Sequence, residues 1–139
     1  MLIKVSDYIA SFFKSKNLKN IFAVSGEASI HLIDSAAALK GMKYYCPIYE
    51  QSCAMAADSY SRVCTSTGVV FTSSGPGATN LATGICGAYF DSIPVFIDIP
   101  DNIQREIIDT KKVKKFSVNS FKKKNIIVKL LQYYYVMDT

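Results

Sequence analysis

The sequence holds a single histidine, His31, and its four cysteines, Cys46, Cys53, Cys64 and Cys86, include no C-x-x-C pair. That excludes a Cys/His zinc centre, and no metal ligand is expected in the chain. The cysteines read as reduced, mostly buried small apolar groups of a cytoplasmic protein. No apolar run of about 18 residues occurs, so a membrane span is excluded. The N-terminus lacks a basic stretch followed by an uninterrupted apolar segment and a small-residue cleavage site, so no signal peptide is expected. There is no internal repeat and no low-complexity tract.

What is there is globular. Half of the 139 residues are apolar and 19% are charged, enough apolar material for one domain with a real core. Global disorder is excluded on the same ground. The net charge of +5 is unevenly placed. Residues 1–100 carry seven Lys/Arg and seven Asp/Glu, whereas residues 101–139 carry nine and four. The chain therefore reads as a neutral body over 1–100 and a basic end of the same domain over 101–139. Seven lysines between Lys111 and Lys124 could give a salt-dependent contact with nucleic acid. A solvated face is the favoured reading, and neither nucleic acid nor a membrane is expected as partner.

Apolar runs and turn signals alternate along the body. Val5 to Lys16 has helical spacing, Asn20 to Val24 reads as a buried strand, and Ala28 to Leu39 as a helix. Lys43 to Ile48 is a second strand ending near Pro47, and Glu50 to Cys64 an Ala-rich helix. Val69 to Thr72 is a third strand, Ala78 to Tyr89 a helix of small residues, and Ile93 to Ile99 a fourth strand. This order predicts an α/β fold, a parallel sheet with helices on both faces. Asn125 to Tyr133 has helix-like spacing, and no further strand is expected after residue 100. Tyr133 to Tyr135 read as packing residues, not as a base-stacking platform.

Two places could carry chemistry. Ser74, Gly75, Pro76, Gly77 and Asn80 lie between a strand and a helix, where glycines allow close backbone approach of a ligand. Gly75-x-Gly77 is half of a dinucleotide fingerprint; Asn80 stands where the third glycine belongs, and Asp98 is the acid about 20 residues on. A tight turn without ligand is the plainer alternative. Glu50 follows the second strand beside Tyr44, Tyr45 and Tyr49. A partly desolvated carboxylate there could handle a proton near neutral pH. Otherwise it is a first-turn acid that complements the helix dipole. His31 reads as a structural or surface residue.

Taken together, NIFAVSG, YEQSCAMAADSYSRV and TSSGPGATNLATGICGAYFDSIPV resemble the N-terminal pyrimidine-binding domain of thiamine diphosphate-dependent enzymes of the acetolactate synthase type. The resemblance covers residues 20 to about 98. It implies the thiamine diphosphate-binding fold, incomplete at its C-terminal end. It also implies a role for Glu50, because Gln51, Ala54, Ala57 and Tyr60 match the family's E-Q-x-x-A-x-x-A-x-x-Y pattern. In the family that glutamate contacts N1′ of the cofactor's aminopyrimidine and favours the imino tautomer, whose 4′-nitrogen takes the proton from thiazolium C2. Attack on a 2-keto acid, then decarboxylation or carboligation, follows. Ser74, Gly75, Pro76, Gly77 and Asn80 match the loop near the pyrimidine end, and Gly26 the turn after the first strand. The resemblance displaces the dinucleotide reading.

The chain departs from the family pattern in several places. Tyr49 stands where histidine is common, Gly26-Glu27-Ala28 holds one glycine where more are usual, and Ile99-Pro100-Asp101 replaces Gly-Gln. The family binds the diphosphate through Mg²⁺ with a Gly-Asp-Gly motif and a downstream Asn-Asn in a separate domain, and neither occurs here. The resemblance therefore implies binding of the pyrimidine end only. Mg²⁺ is expected from a diphosphate-binding domain on another chain, in a homo- or hetero-oligomer, and FAD is not expected. The isolated chain is expected to be inactive. The alternative is a truncated, non-catalytic remnant or an interaction subunit.

Overall fold

In the computed structural model, strand β2 (Asn20–Ala23) is flanked by β3 (Lys43–Tyr45) and β4 (Gly68–Phe71), and β5 (Val95–Asp98) extends the sheet beyond β4. The structure describes residues 1–27, 29–98 and 104–113, with the side chains of 96–98 outside that description. All three pairings are parallel, with Ile21 opposite both Tyr44 and Val69. Every residue of β4, GVVF, is buried, as a central parallel strand covered on both faces requires.

Alternation along the strands divides the core in two. Ile21, Ala23, Val69 and Phe71 face Ala10 and Phe13 of helix α1 (Val5–Ser15) and Leu32 and Ala36 of α2 (Ile30–Ala37). Val70 and Val95 face Cys53, Ala54 and Ala57 of α3 (Glu50–Cys64) and Ala88 of α5 (Ala82–Phe90), with Leu81 between α5 and the short α4 (Pro76–Asn80). The parallel sheet with helices on both faces is thus as the sequence predicts. Among the described residues no helix is long and apolar enough to cross a membrane.

Ser61 ties α3 to the sheet. Its buried hydroxyl accepts from Gly68 N–H at 2.8 Å, and its one hydrogen serves Pro94 O or Ala57 O, each at 2.8 Å. Ser61→Ala leaves that N–H without its acceptor. It is expected to cost about 1–3 kcal/mol in urea unfolding, and no measurable loss would count against this bond.

Three sequence expectations need correction. A further strand does follow residue 100: β6 (Ile107–Asp109) pairs antiparallel with β1 (Leu2–Lys4). The cause is local. Helix α1 has no side-chain cap, and Glu106 O and Gln104 O accept from Val5 N–H and Ser6 N–H at 2.9 and 3.1 Å instead. The terminal ammonium sits 3.0 Å from Asp109. The Lys111 N–H, and then that ammonium, hold the Asp109 carboxyl below the usual carboxylate range. Second, the helix read as Ala78 to Tyr89 starts earlier, with Pro76 in its first turn, and breaks at Leu81. There the N–H bonds back three residues to Ala78 O instead of four. Third, the strand read as Lys43 to Ile48 ends at Tyr45, ahead of Pro47. The segment from Asn125 to Tyr135, most of the lysine cluster, and Ile99-Pro100-Asp101 lie outside the described residues.

Candidate functional site

The strand order reverses between β2 and β4. The chain leaves β2 for β3 on one side through α2 and returns through α3 to β4 on the other. In open α/β sheets ligands lie outside the carboxyl ends of the strands at such a point. The loops leaving β2, β3 and β4 therefore share one rim, and they and the helices that follow directly carry Gly26, Glu50, Ser74, Gly75, Pro76, Gly77 and Asn80.

Glu50 is the first residue of α3, with Tyr49 as its extended N-cap (φ −142°, ψ 134°), and it is half-buried. A carboxylate suits that helix end electrostatically. Its Oε2 accepts from Asn80 Nδ2 at 3.0 Å. Asn80 closes α4, and so the loop after β4 reaches across to the start of α3.

Gly77 makes that approach possible. A Cβ on it would stand 2.5 Å from Ser73 Oγ, 2.8 Å from Thr72 Oγ1 and 3.3 Å from Glu50 Oε1. Two hydroxyls thus stand inside the contact distance of a Cβ here, and the Glu50 carboxylate borders it closely. Gly75 contributes differently: its φ of 71° turns the chain into α4, which begins on Pro76. Ser74, Gly75 and Pro76 form the exposed tip of the loop.

The structure thus joins Glu50, Gly77 and Asn80 and leaves the other sequence-singled residues around them. Gly26 is exposed on the neighbouring loop, its carbonyl accepting from Ser29 N–H at 3.1 Å, and a Cβ there would meet nothing within 4 Å. The aromatic flank expected beside Glu50 is open. Tyr44, Tyr45 and Tyr49 are each nearly half exposed, and Tyr45 spends its ring on Phe22, at 5.4 Å, and its hydroxyl on Asn20. His31 lies in the first turn of α2, half-buried.

The sequence reading passed over two neighbours of Glu50. Cys53, one turn along α3, is buried; burial first, then Cys46 and Glu50, push its thiol up to about 11. It stays protonated at neutral pH and offers no nucleophile. All four cysteines are free, but Cys53 alone is buried; Cys46, Cys64 and Cys86 are exposed, which corrects the expectation of mostly buried thiols. The second neighbour is Thr72, fully buried at the end of β4. A hydroxyl closing the apolar run Val-Val-Phe at the carboxyl end of a strand was the available signal.

Among the described residues no group of three His, Cys, Asp or Glu could hold a metal ion. What the arrangement offers is one carboxylate, with one oxygen held by an amide donor and the other over a small polar floor. It can accept and hold a proton of a planar nitrogen ligand.

The chain is similar to known proteins. The family model described as thiamine pyrophosphate enzyme, N-terminal TPP binding domain, matches residues 3–113. The acetolactate synthase large subunit of Cyanidium caldarium is 43% identical over 96 residues, 67% of this chain and 16% of that protein. The large subunit of Buchnera aphidicola subsp. Acyrthosiphon pisum is 40% identical over 82 residues, 59% of this chain and 14% of that protein. Acetolactate synthase 2, chloroplastic, of Nicotiana tabacum is 32% identical over 107 residues, 77% of this chain and 16% of that protein. The chain spans about one sixth of the length of these curated relatives.

Proposed function

The chain belongs to the thiamine pyrophosphate enzymes, as their N-terminal TPP binding domain, and from that premise we propose that it supplies the aminopyrimidine half of a cofactor site of acetolactate synthase type. The bound cofactor supplies an electron sink beside the carbonyl carbon of a 2-keto acid. The chain's own residues do the rest of this half. Glu50 holds or gives up a proton at the pyrimidine ring nitrogen, Asn80 fixes the plane of its carboxylate, and Gly77 keeps the floor open. The loop through Ser74, Gly75 and Pro76, with Gly26 opposite, borders the ring.

The observation that carries this reading is the 3.0 Å bond from Asn80 to Glu50 over the bare Cα of Gly77. Mg²⁺ takes several carboxylate, amide and water oxygens in near-octahedral array, and among the described residues no cluster of His, Cys, Asp or Glu could hold it. We assign Mg²⁺ and the diphosphate to a domain on another chain, in a homo- or hetero-oligomer within the cytoplasm. The surface supports a partner. Helix α5, ATGICGAYF, carries no charge and leaves Tyr89 and Phe90 exposed, and α3 adds Met55.

Calorimetric titration of thiamine diphosphate and Mg²⁺ tests the division of labour. The chain alone is expected to bind with a dissociation constant no tighter than about 0.1 mM, and tight binding is expected to appear once a diphosphate-binding domain is added. Tight binding by the chain alone overturns the two-chain site. Absence of binding with every such domain supports the remnant reading instead.

A further inference from the structure

Thr72 has no task in the arrangement described so far. It is fully buried directly after β4, and its Oγ1 has no hydrogen-bond partner. A buried hydroxyl left unpaired is costly, and an isosteric valine would remove that cost. Native structures hold few such groups, and each asks for a reason.

The reason lies across Gly77. Thr72 Oγ1 and Glu50 Oε1 flank one point, 2.8 and 3.3 Å away, where Gly77 lacks a Cβ. Thr72 offers an O–H donor, and a carboxylate oxygen accepts. Glu50 Oε2 is already engaged by Asn80. The hydroxyl hydrogen rotates freely, and the carboxylate turns about a broad terminal torsion. The two oxygens border the same space, with no side chain of Gly77 between them.

We propose that Thr72 is a positioning residue for Glu50, its hydroxyl donating a hydrogen bond to the Oε1 side of the carboxylate. Glu50 is then gripped from both ends of one segment, by Thr72 at the end of β4 and by Asn80 at the end of α4. Two donors fix the carboxylate plane and favour its charged form. On the same helix the Cys53 thiol is in electrostatic contact with Glu50, and Cys46 acts on Cys53; Tyr49 directly precedes Glu50. The segment after β4 brings only the neutral groups of Thr72, Ser73 and Asn80. The consequence for catalysis rests on the reading of Glu50 given above; the bond itself does not.

The test is a pH titration of the Glu50 carboxyl by ¹³C NMR on the full chain, without cofactor. The chain has three glutamates, so Glu50→Gln assigns the signal. In T72V the midpoint is expected to rise by about 0.5–1 pH unit, whereas T72S, which keeps the hydroxyl, is expected to titrate as the parent. An unmoved midpoint in T72V, or an equal shift in T72S, overturns the proposal. Thermal melting gives a second readout: an idle hydroxyl predicts a higher melting point for T72V, the proposed bond a lower one. Thr72→Ala replaces T72V in the titration if the valine variant does not fold. Because no cofactor is present, a failure of the cofactor reading leaves these outcomes intact.

Discussion

Glu50→Gln is expected to lower turnover by about 10²–10⁴-fold when the chain is assayed with a diphosphate-binding domain supplied by a relative that lacks its own first domain. Glutamine keeps the length of the side chain and an oxygen that can accept from Asn80 Nδ2, now at 3.0 Å. It loses the charge and the ability to exchange a proton with a ring nitrogen. The fold is expected to survive, because the change sits at a half-buried helix start. There the lost charge–dipole interaction is worth about 0.3–1 kcal/mol. The expected signature is therefore a fall in kcat with the far-ultraviolet spectrum unchanged and the melting point lowered by only a few degrees. Retention of a tenth or more of the parent turnover would reject proton handling by Glu50 and leave it as a helix-end acid.

How much of this was legible in the sequence differs from element to element. Helix α3 was read with its bounds, because Ala-rich helical spacing begins at Glu50 and runs unbroken to Cys64. The central strands were read within a few residues, because short apolar runs between polar turns have few other uses in an α/β chain. The ribbon of β1 and β6 was not legible. It joins residues about a hundred positions apart through backbone bonds to an uncapped helix, and three-residue strands carry too little pattern to register. At the site, local motifs pointed to Glu50, Gly77 and Asn80, yet the bond between the first and the last depends on strand order. Thr72 was read as the last residue of a strand and nothing more. Its interest arises from a missing partner and a missing Cβ, which only the packed structure reveals.

Gly68→Ala is expected to be the most damaging of the small substitutions for stability, at about 3 kcal/mol, a fall in melting point of roughly 10 °C for a domain of this size. A Cβ on Gly68 would fall inside the contact distance of Ala57, and the atoms it meets are the backbone O, C and Cα of that residue. Backbone has no rotamer to give way, so α3 must move off β4. That motion would strain the bond from Gly68 N–H to Ser61 and displace Ala54 and Cys53 from the second core. The same helix carries Glu50, so its amino end would shift relative to Asn80. Gly87→Ala is the matched control. Gly87 lies on the exposed side of α5, a Cβ there meets nothing within 4 Å, and alanine is the better helix former by about 0.5–1 kcal/mol. One chemical change at two glycines is thus expected to act with opposite signs. Equal melting points for the two variants would show that the approach of α3 to β4 is looser than the Ala57 contact requires.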